Sequence, residues 1–188
     1  MKTIILSLLS LFIFTSCAMK NQEKENTKKE EKVLVNKEVE VNGQKMLKGA
    51  VNEETFRDAK YDWYDTYYDS YTLDEKTIDT FKNELQELEI EVFMGTWCPD
   101  SHRETPHFFK IMDYAGYPDN RIEMYAVDRD KKSLNGEEAG KDISHVPTFL
   151  FYKDGKEIGR IVESPINSLE EDIRDIVNGT PQTPNYAY

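Results

Sequence analysis

Hydrophobic and polar positions change period several times along this chain, and those changes mark its parts. Residues 4–14 are almost wholly apolar, whereas residues 19–32 are lysines, glutamates, polar amides and little else, with no Gly or Pro. A stretch with so little to bury reads as a solvated tether. Val33-Leu34-Val35 and Glu38-Val39-Glu40-Val41 alternate weakly, and Asn42-Gly43 marks a tight turn, which predicts a short hairpin. Phe56, Ala59, Trp63 and Tyr67 then recur at the spacing of one helix face, predicting a helix over residues 53–71. Tyr61, Tyr64, Tyr68 and Tyr71 form a neighbouring stripe, and Asp62, Asp65 and Asp69 an acidic one. Packing of these aromatics on a core is the expectation; an aromatic, acidic groove for a cationic ligand is the alternative.

From Thr72 onward the periods alternate regularly. Thr72-Leu73-Asp74-Glu75 has the form of a capping box, and Ile78, Phe81, Leu85 and Leu88 predict a helix over residues 74–87. Residues 90–94 predict a buried strand, residues 99–115 a helix stopped by Gly116, and residues 122–127 a second strand. Residues 128–142 are charged and mixed in sign, with a short helix expected after Asn135-Gly136. Residues 147–152 and 157–162 predict a hairpin about Asp154-Gly155. A last helix follows Ser164-Pro165, lined by Leu169, Ile173, Ile176 and Val177, and residues 180–188 read as a loose tail. A strand–helix–strand unit requires a parallel pair, and the closing hairpin adds antiparallel strands. The fold class is therefore α/β: one mixed sheet with helices on both faces.

Composition narrows the function. The 188 residues hold 24 Lys+Arg against 36 Asp+Glu, a net charge of −12. That balance argues against nucleic-acid binding through a broad basic face. There are two cysteines, Cys17 and Cys98, which excludes a disulfide scaffold and a cysteine-only zinc site. Each therefore needs its own explanation.

Lys2, the apolar run and Thr15-Ser16 have the layout of a secretory signal, and the run is too short to span a bilayer, which takes about 20 residues. Cys17 directly after those small residues resembles the lipobox of bacterial lipoproteins. The resemblance implies cleavage of residues 1–16, acylation of Cys17, and a membrane-anchored protein on the non-cytoplasmic side of the cell envelope. Ala18 after the cysteine favours the outer membrane in a diderm cell.

Cys98 follows a buried strand where a helix begins. The partial positive charge and free N–H groups of a helix N-terminus favour the thiolate, the reactive form of cysteine. Trp97 would shield one side and Pro99 would fix entry into the helix. Asp100 works against the thiolate, and His102 and Arg103 support it if they point back. A metal site would need Cys98, His102 and His145 to converge; His102 and His107 are off the i,i+4 spacing of a helical zinc pair.

Phe93-Met94-Gly95-Thr96-Trp97-Cys98-Pro99-Asp100-Ser101 resembles the Trp-Cys-x-x-Cys active-site segment of the thioredoxin-fold family, with Ser101 in place of the second cysteine. Val146-Pro147-Thr148-Phe149 resembles that family's cis-proline loop, and residues 151–157 its closing hairpin. The match covers about residues 74–179, which places the domain at residues 72–179, preceded by an extension over residues 33–71 holding the hairpin and the aromatic helix. The resemblance implies a thioredoxin-like domain in which Cys98 attacks, Ser101 occupies the resolving position, and Trp97, Pro99, Val146 and Pro147 border a groove for an extended substrate. It implies no cofactor and no metal.

Two departures limit what carries over. Ser101 cannot close a disulfide with Cys98, and Val92 stands where thioredoxins commonly keep a buried acid. With Cys17 acylated, no second thiol remains in the chain. The expected function is monothiol exchange at Cys98 with protein thiols and disulfides of the envelope, Ser101 donating a hydrogen bond to the thiolate and an outside thiol or reductase releasing it. This reading expects an accessible Cys98. The rival reading is a non-catalytic thioredoxin-fold module that holds envelope partners.

Overall fold

A computed structural model describes residues 34–186. Cys17, the apolar run and the tether lie outside those residues. Among the described residues, no helix is long and apolar enough to cross a membrane.

The hairpin forms. Strand β1 (Asn36–Val41) pairs antiparallel with β2 (Gln44–Val51), Val41 opposite Gln44. Asn42 and Gly43 both take positive φ, 54° and 76°, as a two-residue turn of matching twist requires. β2 also pairs antiparallel with β4 (Ile122–Ala126), so the extension adds two strands to the main sheet.

The helix expected over residues 53–71 is broken into three pieces. α1 (Glu53–Phe56) is closed by an Asn52/Thr55 capping box; residues 59–61 form a single 3-10 turn; α2 (Trp63–Ser70) follows. Asp58 is the reason for the break, because its side chain accepts from the Lys60 N–H at 3.0 Å and starts a new turn. The break changes which aromatics face inward. Phe56 and Tyr64 are fully buried with stacked rings, centroids 6.0 Å apart, while Tyr67 lies at the surface. The acidic stripe is paired in part, Arg57 bridging Glu53 and Asp65.

Residues 74–87 also differ from the single helix expected. α3 (Glu75–Ile78) and α4 (Lys82–Leu85) are separate turns, with Phe81 at φ −133° between them. The cap is Asp74, which accepts from the Thr77 N–H at 3.2 Å, and not Thr72. Ile78, Phe81, Leu85 and Leu88 are nevertheless all buried, since two linked turns present the same face.

The remaining elements follow the expected order: β3 (Glu89–Met94), α5 (Pro99–Ala115), β4, β5 (Thr148–Lys153), β6 (Lys156–Val162) and α6 (Leu169–Val177). β3 and β4 are parallel, β3–β5 and β5–β6 antiparallel, and the sheet order is β1-β2-β4-β3-β5-β6. It is a mixed sheet flanked by helices. Ile90, Val92 and Met94 of β3 and Phe149 and Phe151 of β5 share one core with Phe108, Phe109, Leu169 and Ile173. The alternate residues Phe93 and Leu150 meet Cys98, Val127 and Val146 in a second cluster.

The short helix expected after Asn135-Gly136 is absent; residues 127–147 are turns and loop, with Ile143 and Val146 covering Phe93 and Leu150. Acidic side chains brace the turns found there instead: Glu138 accepts from Ser133 N–H and Glu137 from Asn135 N–H, each at 3.0 Å.

One ion pair ties this loop to the hairpin. Lys48 Nζ lies 2.5 Å from Asp128, both largely shielded, and Asp128 also accepts from the Asp130 and Lys132 N–H groups at 3.0 Å. Burial pushes the Asp128 carboxyl up, but those bonds outweigh it and hold it below its usual 3.8. A depressed carboxyl contributes stability above its unfolded value and loses it as pH falls through the folded one. Asp128→Asn is therefore expected to cost about 1 kcal/mol or more at neutral pH. In denaturant titrations that difference should shrink steadily below about pH 4.

Candidate active site

The site is built where β3 ends and α5 begins. Cys98 is the α5 N-cap residue, in extended conformation, and Pro99 opens the helix. The Cys98 N–H donates to Gly95 O at 2.9 Å and its carbonyl accepts from His102 N–H at 3.0 Å. Across from it, Val146 and Pro147 are joined by a cis peptide bond. The Cys98 thiol donates to the Val146 carbonyl at 3.2 Å. The two separate sequence segments that carry Trp97-Cys98 and Val146-Pro147 are thus brought together.

Cys98 is 6% exposed, against the expectation of an accessible thiol. The reason is local: its sulfur turns inward onto Val146 and joins the Phe93–Val127–Leu150 cluster.

Trp97 lies flat across the start of the loop. Its Nε1 donates to Val127 O at 2.9 Å, and Arg129 sits 4.7 Å above the ring. A Cβ on Gly95 would meet the Trp97 ring at 2.7 Å, so only glycine lets the indole close down here.

Ser101 is fully buried, and its hydroxyl accepts from Gly95 N–H at 3.1 Å. No hydrogen bond joins Ser101 to Cys98 among the described residues. Ser101 positions the loop under the thiol and does not donate to it.

His102 does not point back at the thiol. Its Nε2 lies 2.9 Å from Thr96 O and, facing a carbonyl, must carry the proton. Its ring stacks on Trp63 at 4.3 Å. His145 is engaged elsewhere too, beside Ser144 at 3.1 Å and stacked on Tyr186 at 3.8 Å. Cys98, His102 and His145 therefore do not converge on one point. The described acidic group that does converge is Glu53, Asp113 and Asp119, away from Cys98.

Val92 is fully buried on the helix-covered face of β3. Glu91, on the opposite face, pairs with Lys141 and accepts from Tyr152 OH at 2.8 Å. Position 92 therefore carries no carboxylate, and Glu91, on the Phe93 face, is committed to Lys141 and Tyr152.

Sequence reasoning missed the part played by the extension. Thr96 Oγ1 accepts from Leu47 N–H at 3.0 Å, and Trp63 braces His102, so β2 and α2 clamp the active-site loop from one side. Glu163 was missed as well. It follows β6 at φ 63°, and its N–H donates to Pro147 O at 2.7 Å. These contacts are long-range and leave no local spacing to find.

The Thioredoxin family pattern matches residues 72–175, more than half of the chain. The chain belongs to the thioredoxin family. Among curated relatives, a thioredoxin-like protein of Acanthamoeba polyphaga mimivirus is 32% identical over 91 residues, covering 48% of this chain and 64% of that protein. The chain thus spans a little under two thirds of that relative. Mitochondrial thioredoxin-3 of Saccharomyces cerevisiae is 30% identical over 114 residues, covering 58% of this chain and 85% of that protein. The solved structure of oxidised mitochondrial thioredoxin 3 from Saccharomyces cerevisiae aligns at 29% identity over 58% of this chain and 98% of its own, with a TM-score of 0.34. Thioredoxin membership is consistent with thiol–disulfide oxidoreductase activity.

Proposed function

We propose that this protein is an envelope-tethered monothiol oxidoreductase or isomerase that acts on protein disulfides through a mixed disulfide at Cys98. The observation that carries the reading is the Cys98 thiol at the α5 N-terminus, against the carbonyl that precedes cis-Pro147, with a serine one helical turn on. The Cys98 thiolate attacks one sulfur of a substrate disulfide. That S–S bond breaks, a new one forms to Cys98, and the other substrate sulfur leaves as a thiolate. In isomerisation a second substrate thiolate displaces Cys98, with no net electron transfer. In reduction an outside thiolate displaces it, and the two electrons come from a pair of outside thiols oxidised to a disulfide. Ser101 cannot do this step, so Cys98 waits in the mixed disulfide until another thiol arrives.

Lipid attachment at Cys17 supplies the tether, and disulfides persist outside the cytoplasm. The rival reading, a non-catalytic module holding envelope partners, is favoured by one observation, the shielding of Cys98 to 6% exposure. Thiol trapping in cells separates the two. Acid-quenched, alkylated cells expressing the wild-type chain should yield reductant-sensitive partner adducts, and Cys98→Ala should yield none. Undiminished partner capture by Cys98→Ala would favour the binding module.

A further inference from the structure

The tail expected to hang loose instead folds back over the rim of the groove. Asn185 Nδ2 donates to Ser164 O at 3.0 Å, just past β6. The Tyr186 ring stacks on His145 at 3.8 Å and 14°. Hydrogen bonding to the Glu163 carboxylate is the main cause holding the Tyr186 phenol above its ordinary range, and the charge of Asp100 contributes further. These neighbours are the walls around the thiol. His145 directly precedes Val146, whose carbonyl takes the Cys98 S–H; Glu163 N–H holds Pro147 O; Asp100 is in the first turn of α5.

The tail is anchored at its base, where Gln182 Nε2 donates to Asp175 at 2.9 Å and Pro181 lies against Gly159 of β6, and again at its tip by Asn185 and Tyr186. A cavity of about 560 Å³ lies along the tail, lined among others by Gly159, Arg160, Pro181 and Pro184. Tyr186 itself stays 53% exposed. A tip held by one stack and a few polar contacts beside an unfilled cavity swings away at low cost while the base of the tail stays anchored. A buried strand could not.

We propose that residues 180–186 are an internal strap, in which Tyr186 clasps the His145 and Glu163 walls of the Cys98 groove and must leave before an extended partner segment can enter. The inference rests on the proposal that this groove receives substrate. The strap lies across the two loops that such a segment would cross, so strap and partner compete for the same surface. Opening is then the step that admits a partner, and the strap adds to the inward turn of the sulfur in limiting access to the thiol.

The test is the alkylation rate of Cys98 by iodoacetamide, read by mass on the peptide that contains it, in the full chain and in Tyr186→Ala, Tyr186→Phe and a chain ending at Gly179. Losing an aromatic stack should raise the open fraction, and with it the rate, about three- to tenfold in Tyr186→Ala and in the shortened chain. Tyr186→Phe, which keeps the stack, should rise less. An unchanged denaturation midpoint in Tyr186→Ala shows that the fold is intact. Wild-type rates in both Tyr186→Ala and the shortened chain would overturn the strap. Acceleration in the shortened chain alone would overturn the role of Tyr186. Alkylation requires no disulfide exchange, so the strap can fail while the oxidoreductase reading stands, and the reverse.

Discussion

Ser101→Cys is expected to convert this one-thiol site into a dithiol site. In a chain that also carries Cys17→Ser, mild oxidation should close a disulfide between Cys98 and the introduced thiol, read as the loss of both free thiols and of two hydrogens by intact mass. The two positions are the N-cap and third residue of α5, one turn apart, within the separation a disulfide spans. The larger effect is kinetic. An internal thiol acts at an effective concentration of about millimolar, so release from a mixed disulfide should be about a thousandfold faster than with a micromolar outside thiol. Insulin reduction, expected to be poor for the wild-type chain, should become readily measurable. The substitution gives up the Ser101 acceptor for Gly95 N–H, and a modest loss of stability should accompany the gain. A variant that oxidises but turns over no faster would show that release is not the step Ser101 withholds.

Phe108→Ala is expected to have the largest effect on folding. Phe108 is fully buried on α5, stacked on Phe149 at 4.5 Å and set edge-on to Phe109 at 5.7 Å and Phe151 at 6.3 Å. It is the contact that seats the Cys98 helix on β5, the strand that leads out of cis-Pro147. Truncating such a ring costs about 3–5 kcal/mol in lost transfer energy and residual cavity. At this chain length the thermal midpoint should fall by roughly 10 °C. Urea titration followed by Trp97 and Trp63 emission measures both the cost and whether the site melts with the core. A loss well under 1 kcal/mol would mean that α5 is held mainly by α2 and the extension.

The sequence discloses this fold unevenly, for physical reasons. Val92, Cys98, Pro99 and Gly116 mark the end of a strand and the two ends of a helix, and such signals act over a few residues. So do Asn42-Gly43 and Asp154-Gly155, where positive φ is needed at both turn positions. The first broken helix was not legible because Asp58 takes a backbone donor within an otherwise good helical period, and the second because its break at Phe81, φ −133°, leaves the period of buried residues unchanged. After Gly136 the expected helix gives way to turns, in which Glu137 and Glu138 accept from the upstream Asn135 and Ser133 N–H groups.

The sequence discloses the nearest neighbours of Cys98 and little of what surrounds them. The approach of Cys98 to Val146 and Pro147 follows from the order of the strands. The burial of Cys98, the Ser101–Gly95 bond and the turning of His102 toward Thr96 depend on how side chains pack after the backbone is set. Trp63 and Tyr186, from opposite ends of the chain, reach the site through rings stacked on His102 and His145. Sequence periodicity carries no trace of either contact.

The central claim is that Cys98 attacks a disulfide and is then held, for want of a second thiol, in a mixed disulfide. The most direct measurement is the intact mass of the purified Cys17→Ser chain after incubation with a disulfide-bonded peptide and an acid quench. The account predicts a long-lived adduct of one peptide thiol at Cys98, formed with release of one free thiol, removed by added outside thiol and absent from the same chain carrying Cys98→Ala. A Cys98 that remains a free thiol in the presence of excess disulfide, or an adduct that persists in Cys98→Ala, would contradict it.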